Sequence, residues 1–339
     1  MISIRPASVI SGVAVALAAG MLAACGSSSG AADGEEVTTL RYLGGTSLMD
    51  YAELADALGY LDGLTLEKVG EAQGGPESLQ ALATGQIEFA GSPFNGAIAK
   101  VASTGIGLKA VIAGYGKTKE NNSSVVTLED SKISSGRDLI GKKVAVNTLG
   151  ANSEAFVDTY LDAEGLTPDE IDKVTLVPLP PLNTESALRE KQVDAALLSF
   201  ASKNLALEHG GIRILANDTD FVGDYNGGSY VLLDSFIEEN PETTKTLVAG
   251  LSKAIEYEQS HTVEETLEVY TAYLDEKGRG EQAKAFDLWQ GNAVATPGGV
   301  LRDEDFTLWL KWLENSGEVE SGSVDLEDLY TNEFNPAAQ

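Results

Sequence analysis

From Thr39 to Leu198 short apolar runs alternate with helical ones, and this alternation restricts the fold more than any other feature of the chain. Thr39–Leu43, Leu64–Gly70, Ile87–Ala90, Leu108–Tyr115, Lys143–Asn147, Val174–Val177 and Val193–Leu198 read as strands. Between them lie helical patterns over Leu48–Leu58, Pro76–Ala83, Pro93–Ser103, Ser153–Ala163 and Asn183–Lys191. Strand and helix patterns that alternate in this way predict an α/β fold, with helices layered on sheets. One helix start is explicit. Thr167-Pro168-Asp169-Glu170 puts Thr at the cap, Pro in the first turn and Glu three residues on, a capping box with the favoured proline.

Two stretches share a pattern. Leu82–Ala90 and Leu188–Ala196 each run from a helix end through Gln to alternating apolar and acidic residues, then to a small polar loop and another helix. This suggests one unit used once in each of two lobes. The last third is helical. Asn240-Pro241-Glu242 starts a helix with Leu247, Val248, Leu251 and Ile255 on one face, Thr262 and Glu265 form another capping box, and Asp303 starts a third helix. These stripes are core-facing surfaces.

The beginning of the chain is of another kind. One basic residue, Arg5, precedes an apolar stretch from about Val9 to Ala24, as in a secretory signal. Leu22-Ala23-Ala24-Cys25 resembles the bacterial lipobox, in which small residues let a peptidase cut before a cysteine that carries lipid. The expectation is a signal peptide over 1–24, a lipid on Cys25, a Gly/Ser-rich tether over 25–36, and a chain held on the extracytoplasmic face of the cell membrane. Gly26-Ser27-Ser28-Ser29-Gly30 matches a nucleophile-elbow pattern but lacks its strand-to-helix context.

The net charge of −29 argues against phosphate-backbone binding, so no nucleic-acid partner is expected. Cys25 is the only cysteine, so lipidation leaves no thiol for a disulfide or thiolate chemistry. Only two histidines occur, His209 and His261, each near a helix end, and no metal-ligand spacing appears. No cofactor and no nucleophile–base pair stands out, so an enzyme is not expected.

Several loops lead into helices, where unpaired N–H groups and the helix dipole can hold an anion. They are Gly45-Thr46-Ser47, Gln73-Gly74-Gly75, Ser92-Pro93-Phe94-Asn95 and Gly150-Ala151-Asn152-Ser153, with no basic residue in any of them. The candidate ligand-binding residues are Thr46, Ser47, Gln73, Gly74, Gly75, Ser92, Phe94, Asn95, Gly150, Ala151, Asn152 and Ser153, with Phe200 and Tyr225 flanking an organic body. Each aromatic taken singly also suits a packing role.

The lipobox, the alternating lobes, Gly74-Gly75-Pro76 opening a helix, Gly141-Lys142-Lys143-Val144-Ala145-Val146-Asn147 before Gly150, Val193-Asp194-Ala195, and the tail from Trp312 to Phe334 resemble the ABC-importer solute-binding proteins. The resemblance runs from about Thr38 to Phe334, and is to the nitrate/sulfonate/taurine group, which includes thiamine-biosynthesis-like pyrimidine binders. It implies a type II periplasmic-binding-protein fold of two α/β lobes joined by two crossovers. Lobe 1 would be 37–124 plus 220–334 with the C-terminal helices, and lobe 2 would be 125–219. It further implies a monomer that closes on a small solute, most naturally a sulfonate, taurine or nitrate-type anion, and delivers it to a permease. A pyrimidine or aromatic ligand, or an extracellular enzyme or sensor on the same fold, are the alternatives. Two departures bear on the ligand. Gly150-Ala151-Asn152-Ser153-Glu154 replaces the Gly-Ser-x-x-His of sulfonate binders, and Ser199-Phe200-Ala201 replaces a Trp-acid-Pro segment. Glu154 would repel a sulfonate or hold an amine or a ring N–H.

Overall fold

Strand β1 (Thr39–Gly44) pairs in parallel with β2 (Thr65–Glu71), and helix α1 (Tyr51–Ala57) crosses between them. Asp50 caps α1 through its carboxylate, which accepts from Ala52 N at 2.9 Å. The computed structural model describes residues 35–45, 48–72 and 74–339, with the backbone alone at Ala201. Residues Glu36–Gln339 form one compact unit. The signal peptide, Cys25 and most of the tether lie outside the described residues, and no helix among the described residues is long and apolar enough to cross a membrane.

Helices α2 (Gly75–Ala83) and α3 (Asn95–Ala102) follow, then β3 (Leu108–Lys117). The stretch Ile87–Ala90, read as a strand, does not extend into one. It makes a single bridge, Ala90 to Val231, and Glu88 N donates to Arg41 O at 3.0 Å. The backbone then turns through Ser92 at φ 55°, which no ladder can accommodate. β3 instead pairs antiparallel with β9 (Tyr225–Leu233), 108 residues on in sequence from its end by register Lys117 to Tyr225.

The intervening chain builds a five-stranded sheet in the order β6-β5-β7-β4-β8. Its strands are β4 (Ser123–Leu128), β5 (Lys143–Val146), β6 (Thr175–Pro178), β7 (Ala195–Ser199) and β8 (Ile212–Asn217). β5 lies parallel to β6 and β7, while β4 runs antiparallel to β7 and β8. The helices are α4 (Asn152–Ala163), α5 (Pro168–Ile171), α6 (Pro181–Arg189), α7 (Phe200–Glu208) and α8 (Thr219–Val222). The Thr167–Glu170 capping box forms as read.

The repeated unit shows at its helix ends. Gly85 (φ 68°) and Lys191 (φ 58°) take the left-handed conformation at equivalent points. Gln86 N reaches Ala81 O and Gln192 N reaches Ala187 O, each at 2.9 Å, so α2 and α6 end in the same Schellman closure. After β9 come α9 (Asp234–Glu239), α10 (Pro241–Ser260), α11 (Val263–Glu276), α12 (Glu304–Asn315) and α13 (Leu326–Leu329). The apolar core follows the sheets. One cluster gathers residues from Leu40 to Ala113 and from Tyr225 to Leu329, joined by Ala155. Two smaller clusters lie within Val125–Ala216, on either side of the five-stranded sheet.

Candidate functional site

The end of β3 reads Gly114-Tyr115-Gly116-Lys117, and neighbouring segments crowd upon it. A Cβ on Gly228 would collide with the Tyr115 ring and lie 2.7 Å from Pro93 O, so glycine there lets the ring and the 92–93 loop settle over β9. A Cβ on Gly75 would lie 3.0 Å from Pro93 Cα, which brings the Gly74-Gly75 and Ser92-Pro93 loops together. Phe94 bridges to Gly228.

Four non-glycine residues among those described have positive φ: Ser92, Lys191, Phe200 and Ala293. Lys191 closes a helix. The other three surround the end of β3: the Ser92 hydroxyl lies where a Gly114 side chain would go, the Ala293 carbonyl where a Gly116 side chain would go, and the Phe200 ring under Lys117. Strain of this kind persists where the surroundings enforce it and concentrates at ligand-holding loops.

Lys117 is buried, with Nζ 3.3 Å from the centroid of the Phe200 ring. Burial pushes its ammonium down to about 7, against the pull of Asp218 and with the push of Lys203. Asp218 is fully buried and accepts from Ser123 N (3.1 Å), Thr219 N (2.8 Å) and Tyr225 OH (3.2 Å). Desolvation raises its carboxyl above the ordinary value, opposed first by Lys117. The sequence reading missed Lys117, Lys203 and Asp218. The available signal was a lysine closing a largely apolar strand, Leu108–Gly116.

Asn152, at the start of α4, donates to Tyr225 OH at 3.3 Å. This contact joins the five-stranded-sheet region to β9. Its first-turn amides, with that of Ser153, have no carbonyl four residues back within the helix, and the Ser153 hydroxyl has no partner among the described residues. Gly150 behaves otherwise than expected. Its N–H donates to Glu154 Oε2 at 2.5 Å, so the carboxylate occupies an amide assigned to the ligand. Gly150 itself sits at φ 68°, and Ala151 follows at the helix cap.

The remaining candidates fall into two groups. Phe94 packs edge-on against Trp309, with centroids 5.1 Å apart, and Tyr225 lies tilted on the same indole at 5.5 Å. Asn95 is fully buried. It donates to Asn226 O and Asp305 O, both at 3.0 Å, and accepts from the Ser229 hydroxyl at 2.7 Å. Its side chain is thus occupied inside the protein. Ser92, Gly74, Gly75, Asn152, Ser153, Phe200 and Tyr225 converge around the ends of β3 and β9. Thr46, Ser47 and Gln73 lie outside the described residues.

A pocket of about 140 Å³ opens beside the ends of β1 and β2, lined by Asp50, Glu53, Lys68, Arg279, Tyr270 and Phe286 among others. Glu53 is tied to Tyr42 OH (2.5 Å), Tyr270 OH (2.7 Å) and Arg279 (2.9 Å). Asp50 spends one oxygen on Tyr230 OH at 2.7 Å, and desolvation, then Glu53, raise its carboxyl to about 6. A Cβ on Gly91 would lie 3.5 Å from Asp50 Oδ2, so the pocket and the Lys117 cluster flank the same 91–93 loop. No group of His, Cys, Asp and Glu suited to a metal ion occurs among the described residues.

A mixed α/β architecture with loops converging at its strand ends defines the fold of the periplasmic binding proteins. The structure matches the periplasmic aliphatic sulphonate binding protein SsuA from Escherichia coli with a TM-score of 0.64 at 21% identity, over 86% of this chain and 92% of that one. It also matches the desulfurization enzyme DSZB with a TM-score of 0.59 at 14% identity, over 88% of this chain and 97% of that one. The chain belongs to the NMT1/THI5-like family, whose model matches residues 54–265. A curated Escherichia coli (strain K12) relative, provisionally named an aliphatic sulfonates-binding protein, is 27% identical over 180 residues, 53% of this chain and 54% of its own length. The chain thus spans about half the length of that relative. Because the same fold serves a binder and an enzyme, function has to be argued from the residues.

Proposed function

We propose that this protein is the extracytoplasmic solute-binding component of an ABC importer, held to the membrane by lipid on Cys25. It captures one small organic solute, of the sulfonate, taurine or nitrate type, between lobe 1 (37–124 and 220–334) and lobe 2 (125–219). It acts as a monomer and passes the solute to a permease.

The observation that carries this reading is the convergence at the end of β3. Residues from both parts of the chain meet there: Ser92 and Lys117 from one, Asn152 and Phe200 from the other. The chain runs from β3 to β4 through 118–122 and from β8 to β9 through 218–224, and two such connections near the proposed lobe boundaries suit a hinge. Opening would separate Asn152 from Tyr225 and expose Lys117. Family membership and the name of the sulfonate-binding relative support the same class.

A second reading has its own observation. The pocket beside β1 and β2 has aromatic walls, Tyr270 and Phe286, and a partly free carboxylate, Asp50. This arrangement suits a pyrimidine or another aromatic bearing an N–H donor.

A thermal-shift screen on ligand-stripped mature protein tests these readings. Sulfonates, nitrate, aromatic acids, amines and pyrimidines form the panel. Stabilisation grows as RT ln(1 + [L]/Kd), so a micromolar ligand at millimolar concentration adds about 4 kcal/mol. No stabilisation across the panel removes the importer reading. Turnover of a panel member, seen by mass spectrometry, replaces it with the enzyme.

A further inference from the structure

Three charged side chains lie together where the chain passes between its two parts. They are Lys117 at the end of β3, Lys203 in α7 and Asp218 at the start of α8, with exposures of 2%, 7% and 0%. Buried charges persist only when they are compensated. Asp218 is compensated by two backbone N–H groups and a tyrosine hydroxyl. Lys203 donates to Asn122 Oδ1 at 2.6 Å.

Lys117 differs from both. Its ammonium has no hydrogen bond and no ion pair among the described residues, and its contact is the face of the Phe200 ring. Among the described residues, the sealed polar side-chain atoms without a partner are Asp234 Oδ1, Ser252 Oγ and Arg302 Nε. Lys117 Nζ is not among them, so a trace of its surface stays accessible. The other titratable groups beside it, Tyr115 and Tyr225, are kept neutral by burial. Within this buried set two cations and one anion leave a single uncompensated positive charge, while the Glu154 carboxylate stands at the opposite wall, in the first turn of α4, with Oε2 held on the Gly150 N–H.

We propose that Lys117 reads the charge of the ligand, and that the cleft takes a solute with one negative charge, seated between Lys117 and the first turn of α4. This inference rests on the solute-binding reading above. A sulfonate, carboxylate or nitrate group neutralises the buried set. A dianion would leave it net negative in a medium of low dielectric, and a neutral solute would leave Lys117 without a counter-charge. An arriving anion also favours the charged ammonium. Because burial holds Lys117 near 7 in the empty site, binding above that pH takes up a proton, and affinity falls as pH rises.

The test uses refolded, ligand-stripped mature protein. The probes are ethanesulfonate and benzenesulfonate, their neutral sulfonamides, and the matching phosphonates as dianions at pH 8.5. Calorimetry at pH 8 in two buffers of different ionisation enthalpy counts protons. The wild type is expected to bind a sulfonate at least tenfold tighter than its sulfonamide and phosphonate, with proton uptake. K117M, which removes a buried charge and keeps the side-chain bulk, is expected to melt higher without ligand, yet bind sulfonate at least tenfold more weakly and without proton uptake. A residue that merely packed would not combine a gain in stability with a loss of affinity. Equal affinity for the neutral or dianionic partners overturns the proposal, as does unchanged sulfonate binding by K117M. Should K117M not fold, absence of proton uptake by the wild type overturns it alone. Tight binding of a neutral solute from the wider screen, unaffected by K117M, sinks this inference and leaves the solute-binding reading standing; no binding of any compound sinks both.

Discussion

Trp312 donates its indole N–H to Asp158 Oδ2 at 2.9 Å, joining α12 to α4 across 154 residues of sequence. The bond links the helix packed on α3 and β9 to the helix whose first turn approaches Tyr225. It is therefore a clasp between the two parts of the chain. Burial, with Glu154, Asp172 and Glu318 adding to it, pushes the Asp158 carboxyl up to about 6, and the Trp312 bond works the other way.

The sign of the Asp158 effect follows from linkage. The folded state holds this proton more tightly than the unfolded state, so stability from this group falls as pH rises from about 4 to 6. D158N keeps an oxygen for Trp312 and removes the charge. It is expected to raise stability at pH 7.5 by about 1–2 kcal/mol and to flatten the melting profile between pH 4 and 6. A lower melting temperature at pH 7.5 would show that the charged clasp stabilises the fold.

Asn95 satisfies two carbonyls and one hydroxyl inside the protein. N95A removes three buried hydrogen bonds and strips partners from the Asn226 carbonyl and the Ser229 hydroxyl, at a cost of about 1–3 kcal/mol. Urea unfolding measures the loss. The ligand preference of the protein is expected to stay the same, because the side chain faces β9 and α12. A change in preference with no loss of stability would return Asn95 to the ligand site.

Gly228 has no room for a methyl group between the Tyr115 ring and the 92–93 loop. G228A is expected to cost about 1–3 kcal/mol through overpacking and to weaken ligand binding, because Tyr115 and Ser92 must move. Unchanged binding with unchanged stability would mean that the loop and the ring relax freely and do not shape the cleft.

Cys25 tests the anchor. C25S expressed in the source cell is expected to move the protein from the membrane fraction to the soluble one and to abolish labelling by an alkyne-bearing fatty acid. A protein that stays in the membrane fraction without label has another anchor.

The sequence carried the local rules. Alternating apolar runs placed β1, β2, β3, β5, β6 and β7, since burial on one or both faces leaves a short-range pattern. The capping boxes at Thr167 and Thr262 formed where Thr and Glu stand three residues apart, because a cap satisfies its own helix end. Ile87–Ala90 misled, since it meets β9 only through the Ala90–Val231 bridge and Ser92 turns the chain away. The candidate loops were legible as helix starts, yet the partners of their groups were not: Gly150 gave its amide to Glu154, and Asn95 turned inward.

What the tertiary structure decided was charge. Lys117, Lys203 and Asp218 stand far apart in sequence, and each reads there as an ordinary solvated residue. Only the pairing of β3 with β9 and the return of α7 and α8 to the crossover bring them together and remove water from around them. Desolvation and uncompensated charge are properties of the assembled neighbourhood, set by long-range contacts that no window of sequence contains.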